Sequence, residues 1–141
     1  MPYCTKDDLL KKISENQLVE LTDDEGIGSI IDAVITKNIS EADGEIDSYC
    51  KKRYALPFNP VPEMVNKLSV DITIYNLYSR RQDLTNEVVT KRYDDAIKFL
   101  KDIRKGLADI EADPPPAVDS GQVGKYSANE RIFTRDKMND L

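Results

Sequence analysis

The sequence predicts an all-α fold: a compact bundle of four to five helices with an extended C-terminal arm. Apolar residues recur every three to five positions over several long stretches, which is the helical period. Two segments near the N-terminus open with helix-capping patterns, and a run of three prolines at 114–116 ends the last periodic stretch. We therefore predict a helical bundle domain over 1–112, then a proline-led linker and flexible C-terminal arm over 113–141.

Composition narrows the classes of function. The chain has 141 residues, 33% of them charged, and a formal net charge of -6, so it is a poor nucleic-acid binder unless one face is locally basic. Histidine is absent, which removes Ser-His-Asp and Cys-His catalysis and the commonest zinc ligand. Cys4 and Cys50 lie in no metal-binding or redox pattern and are expected to be buried or free thiols. With no membrane-spanning run or signal sequence, we expect a soluble protein made in a cytosol, with no membrane partner and no cofactor.

The first two elements are short helices. Thr5 with Asp8, and Ser14 with Gln17, have the spacing in which a side-chain oxygen caps a helix and the third residue returns the bond. The second helix is expected to run through Leu21. Residues 22–29 combine acids with two glycines and predict a turn.

A long third helix is predicted from about Ser29 to near Tyr54. It must stop there because a residue that precedes proline, here Leu56, is disfavoured in helical geometry. Gly44 inside it costs about 1 kcal/mol relative to alanine and indicates either close approach by another helix or a kink. The apolar face consists of Ile31, Ile35, Ile39, Ala42, Ile46, Tyr49 and Tyr54.

The fourth helix, over roughly 62–80, should be the most buried, because apolar residues occur on almost every side of it. Pro62 suits its first turn. The alternation in 69–78 leaves a strand as the alternative.

A fifth helix follows a cap at Thr85 or Asn86. Its apolar positions alternate in steps of four and three, a stripe suited to packing along another helix. Asp94 and Lys98 are spaced for an ion pair on its outer face, and Gly106 bends or ends it. The stripe consists of Val89, Tyr93, Ala96, Leu100, Ile103, Leu107 and Ile110.

Two clusters of charged residues are candidate sites. Glu41 and Glu45 share one helix face and could hold a divalent ion, which keeps open a carboxylate- and metal-dependent helical nucleotide hydrolase. No matching pair occurs on the fourth helix, so a solvated face is the simpler interpretation.

The basic cluster of Lys51, Lys52 and Arg53 ends the third helix, where cations complement the helix dipole, and Asp47 is spaced to pair with Lys51. A phosphate or DNA contact is the alternative, with the patch extended by Arg80, Arg81, Lys91 and Arg92.

Two motifs stand near the middle and near the end of the chain. The first consists of Glu45, Ile46, Asp47, Ser48, Tyr49, Arg53, Tyr54, Leu56 and Pro57, and the second of Arg131, Ile132, Phe133, Thr134, Arg135 and Asp136. In this order the two motifs resemble those of a family of small proteins encoded beside the capsid genes of Mu-like phages and prophages, and the resemblance covers nearly the whole chain. Cys50 stands where that family usually has an aliphatic residue, and Phe58 where a smaller apolar residue is common.

The resemblance implies a non-enzymatic virion protein of the phage neck, a head-completion or head-tail connector subunit. Its implied partners are the portal protein, other neck and tail proteins, and further copies in a ring beneath the portal; the isolated chain would be monomeric or already assembled. It would reside in the virion, and in the host bacterial cytoplasm before assembly. The residues of the first motif are expected to form a structural corner, and those of the second a subunit-contact arm.

Overall fold

The computed structural model describes residues 2–84 and 86–115, and within them the chain is all helical. This confirms the predicted fold class, while the predicted arm lies outside the described residues and, with the domain boundary, stays a prediction. The elements are α1 Lys6–Leu10, α2 Glu15–Thr22, α3 Asp32–Cys50, α4 Glu63–Arg80, a 3-10 turn Gln82–Leu84, and α5 Glu87–Lys105.

The two short helices begin at the predicted caps. The Thr5 hydroxyl accepts a hydrogen bond from the Asp8 N–H, and the Asp8 carboxylate accepts one from the Thr5 N–H at 2.9 Å. Ser14 and Gln17 repeat this exchange at 3.1 and 2.9 Å. Such reciprocal caps satisfy two backbone donors that a helix start leaves free, so these helices can be as short as they are.

The central element is α4, which packs against all four other α-helices. Leu68 and Ile72 face the core shared with α3 and α5, whereas Ile74 and Leu77 face a second core shared with α1 and α2. The prediction that α4 is the most buried helix is confirmed, and the strand alternative for 69–78 is wrong. Burial on so many sides explains why its hydrophobic pattern resembled a strand.

The C-terminal part of the predicted stripe differs from the structure. Gly106 has a φ of 83° and ends α5, so Leu107 leaves the helical register and is 75% exposed. Ile110 is nevertheless buried, because the segment after the helix folds back onto the core.

Two further details of the helices differ from the prediction. The third helix ends at Cys50, several residues before Tyr54. The Asp94–Lys98 ion pair does not form in the described part of the chain; Lys91 and Asp95 pair instead, at 3.5 Å.

Gly44 has no packing role among the described residues. A Cβ added to it would meet no described atom within 4 Å, so the predicted close approach by another helix of the same chain is wrong.

Candidate interaction site at the corner after the third helix

The loop 51–62 joins α3 to α4, and we call it the corner. Its aromatic side chains close one end of the core: Phe58 is 1% exposed, with its ring centroid 5.5 Å from that of Tyr3 and 5.9 Å from that of Tyr54. Ile46 beneath them is fully buried, and Tyr49 and Leu56 pack against the same cluster. The peptide bonds before Pro57 and Pro60 are cis.

Arg53 joins the corner to the end of α5. Its guanidinium donates to the Ile103 carbonyl at 3.0 Å, to the Ala108 carbonyl at 3.4 Å and to the Asp109 carboxylate at 3.0 Å. The last carbonyls of a helix lack partners within the helix and carry the negative end of its dipole. The cation therefore complements a helix terminus, as predicted for this cluster, but the helix is α5 and not its own.

Two more hydrogen bonds fasten the segment after α5 to the corner. The Tyr54 hydroxyl accepts from the Ile110 N–H at 2.7 Å, and the Ala55 N–H donates to the Asp113 carbonyl at 3.0 Å. Residues 106–113 are thus fixed by contacts along their length. The point at which the chain continues towards the three prolines is fixed with them.

Tyr3 contacts the corner, which the sequence pattern did not reveal. Its hydroxyl donates to the Asp47 carboxylate at 2.6 Å and accepts from the Phe58 N–H at 3.3 Å. Burial, followed by the hydrogen bond to Asp47, raises the pKa of Tyr3. Asp47 thus binds Tyr3 in place of the predicted partner Lys51. No local spacing relates two residues so far apart in the chain.

The candidate carboxylates do not converge on a reaction centre. Glu45 accepts a hydrogen bond from the Tyr93 hydroxyl at 3.2 Å, and the Tyr93 ring stacks on Tyr75 with centroids 3.8 Å apart. Burial and the nearby Glu45 charge raise the pKa of Tyr93 to about 12. Glu41 is exposed, and buried Asp71 on α4 is paired with a lysine of its own helix. Across 2–84 and 86–115, no three Asp, Glu or Cys side chains are placed to share a metal ion.

The basic residues are separated. Arg80 donates to the Leu21 carbonyl at 2.6 Å and pairs with Asp24, while Arg81 donates to the Glu20 carbonyl at 2.9 Å. Both lie at the C-terminal end of α4, a helix of 18 residues and about 27 Å at ~1.5 Å each, whereas Arg53 lies in the loop that leads into its N-terminal end. Arg53 and the pair Arg80 and Arg81 therefore do not lie in one basic patch, as the phosphate or DNA alternative required.

Comparison with known proteins identifies the family. The model of the family described as bacteriophage Mu Gp36 matches residues 3–126, including the whole corner. This chain belongs to the Mu Gp36 family.

Two relatives of this Mu Gp36 chain agree with that result. It is 24% identical to gene product J of Escherichia phage Mu over 138 residues, which is 96% of each chain. It is 26% identical to the Mu-like prophage FluMu protein gp36 of Haemophilus influenzae, over 77% of this chain and 74% of the relative. The predicted membership of a Mu-like phage family is confirmed.

The predicted contact arm is not tested. Its residues lie beyond the family match and outside the described residues, so the arm stays a prediction. None of the helices that the structure describes is long and apolar enough to cross a lipid bilayer.

Proposed function

We propose that this Mu Gp36 chain is a virion structural protein of the phage neck, a head-tail connector or head-completion adaptor that assembles as a ring beneath the portal. It acts by assembly, without bond-making chemistry. Its partners are the portal protein, other neck and tail proteins and further copies of itself. It resides in the virion and, before assembly, in the host bacterial cytoplasm.

The observation that carries the proposal is the way the corner uses its polar groups. Arg53 binds the Ile103 carbonyl in the last turn of α5 and the Asp109 carboxylate in the segment that follows, and the Tyr54 hydroxyl accepts from the Ile110 N–H in the same segment. These contacts give the C-terminal segment a defined point of departure. The bundle thus supplies a helical body, and the C-terminal segment continues from a fixed position on it. This arrangement suits a subunit that must bind neighbouring subunits in a defined orientation.

The composition of the segment beyond that point supports the same function. Ile132 and Phe133 stand between Arg131 and Arg135, so the sequence offers apolar side chains flanked by cations. Short segments of this kind bind complementary surfaces on other proteins.

Co-expression with the portal protein of the same phage genome tests the proposal. The expected result is co-purification of the two proteins and rings of this chain on the portal in electron micrographs. A folded chain that neither binds the portal nor forms rings on it would contradict the adaptor function.

The hydrolase alternative has a separate test. Thermal stabilisation by Mg²⁺ or Mn²⁺ with nucleotides, together with hydrolysis that Glu41→Gln abolishes, would contradict the assembly function. No change in the melting midpoint and no hydrolysis is the expected outcome.

A further inference from the structure

A groove of about 770 Å³ runs between residues 2–6 and α3. Its apolar lining includes Ile35, Ile39 and Pro57, and its carboxylates are those of Asp32, Asp43 and Asp47. Lys6 is the only cation among its described lining residues, and it is paired with Asp32 at 3.2 Å. The groove thus combines apolar walls with an excess of negative charge.

Gly44 opens onto this groove, and its environment points to a contact from outside. A glycine inside a helix costs about 1 kcal/mol relative to alanine, yet a Cβ here would meet no described atom within 4 Å. Ser40 and Thr36, one and two turns earlier, are also short, exposed and part of the lining. Packing among the described residues does not require the glycine, whereas close approach by another chain would.

We propose that the groove binds residues 131–136 of a neighbouring copy of this chain. Ile132 and Phe133 would cover the apolar walls, while Arg131 and Arg135 would face the groove carboxylates. The segment and the groove are therefore complementary both in charge and in apolar surface. This inference rests on the proposed self-association and names the surfaces that form it.

The length of the connecting chain allows the arm to reach a neighbouring copy. Pro57 lines both the groove and the hollow in which Asp113 lies, so the path from the end of the bundle to its own groove is short. Residues 114–130 span up to ~60 Å when extended, at ~3.5 Å per residue. A folded domain of about 100 residues has a radius of gyration of about 13 Å, hence a diameter of roughly 35 Å. The linker exceeds what its own groove needs and can reach an adjacent copy.

Binding of a labelled peptide of residues 128–141 tests the groove. The receptor is the full chain carrying Ile132→Ala and Phe133→Ala, so that its own arm does not compete. Fluorescence anisotropy should show saturable binding, weakened at least about tenfold when Gly44→Gln is added, because the longer side chain fills the groove. The same variant should melt at an equal or higher temperature, since glutamine favours helix more than glycine does.

Ser79→Gln is the matched control, because Ser79 is exposed on α4 and does not line the groove. It should leave peptide binding unchanged. Absence of peptide binding, or equal binding to the Gly44→Gln receptor, would overturn the proposal.

A second comparison shows whether the arm binds the groove of a neighbouring copy or the groove of its own chain. At concentrations too low for self-association, the wild-type chain and the Ile132→Ala/Phe133→Ala receptor should bind the peptide with equal affinity. An arm docked in its own groove would compete at a millimolar effective concentration. Binding to the wild type that is about tenfold weaker or more would therefore overturn the assignment to a neighbour.

The outcomes also distinguish this inference from the proposed function. Rings on the portal that form equally well with Gly44→Gln would overturn the groove and leave the adaptor function standing. Peptide binding by a chain that forms no rings with the portal would overturn the adaptor function and leave the groove standing.

Discussion

At each end of the bundle an arginine binds a carbonyl at the C-terminus of a helix, but the two contacts have different consequences. At the corner, Arg53 binds the Ile103 carbonyl in the last turn of α5; at the other end, Arg80 binds the Leu21 carbonyl in the last turn of α2. The two side chains are about equally exposed, at 32% and 29%. The corner adds an aromatic cluster and holds the segment through which the chain continues. An arginine therefore stabilises a helix terminus at each end of the bundle. Only the contact at the corner also fixes the position from which the C-terminal segment continues.

The largest expected effect is at the aromatic cluster of the corner. Phe58→Ala should lower the free energy of unfolding by about 3–5 kcal/mol, because it removes a fully buried ring and leaves a cavity. Urea unfolding followed by circular dichroism measures the change. Met64→Ala, at a side chain that is 41% exposed, is the control and should stay within about 0.5 kcal/mol. A cost for Phe58→Ala below about 1 kcal/mol would show that the corner is not part of the core.

The two arginines allow the ends to be compared directly. Arg53→Met should cost about 1.5–3 kcal/mol by removing charged hydrogen bonds while keeping the apolar stem, and Arg80→Met should cost a similar amount. Hydrogen exchange should accelerate over 106–113 in the first variant and over 20–28 in the second. If Arg53→Met left the exchange of 106–113 unchanged, the corner would not be what fixes that segment.

A smaller change tests one bond of the corner. Tyr54→Phe keeps the ring but leaves the buried Ile110 N–H without its acceptor, so it should cost about 1–2 kcal/mol. The same substitution at Tyr75, whose hydroxyl makes no hydrogen bond within 2–84 and 86–115, serves as the control. Equal stability of the Tyr54→Phe variant and the wild type would show that the aromatic packing alone holds the segment.

The smallest effect concerns the buried thiols and alkaline pH. Burial, followed by the charge of Asp47, raises the pKa of Cys50 from 9.0 to about 11. The unfolded chain then loses its thiol proton at a lower pH than the folded chain does. Stability is fully present below pH 9 and should fall by about 1 kcal/mol between pH 9 and 10 for this thiol.

Cys50→Ala tests this by flattening the pH dependence relative to the wild type, whatever its own cost at pH 7. Denaturant midpoints at pH 7, 9 and 10 give the comparison. An unchanged slope would mean that Cys50 ionises alike in the folded and unfolded chains.

Features set by neighbours in sequence could be predicted. The caps at Thr5 and Ser14 depend on a partner three residues away, and the apolar period that placed α3, α4 and α5 is equally local. The helical bundle could therefore be predicted, because residues within or next to each helix determine where it begins and which face it buries.

Contacts between distant residues could not be predicted in the same way. Arg53 follows α3, and only the antiparallel packing of α3, α4 and α5 brings it to Ile103, 50 residues later. The bond from Tyr3 to Asp47 spans 44 residues and displaced the nearer partner Lys51. Leu107 fitted the stripe, yet the left-handed conformation of Gly106 removed it from the helix. In each case the local sequence allowed more than one partner or conformation, and contacts with distant parts of the chain determined which one forms.

Truncation after Pro116 tests whether the C-terminal arm serves assembly and not folding. The shortened chain and the full chain are compared for urea unfolding and for ring formation on the portal. We expect an unfolding free energy within about 1 kcal/mol of the full chain, since both cores lie in the bundle, together with weakened ring formation. A truncated chain that assembles on the portal as well as the full chain would contradict it.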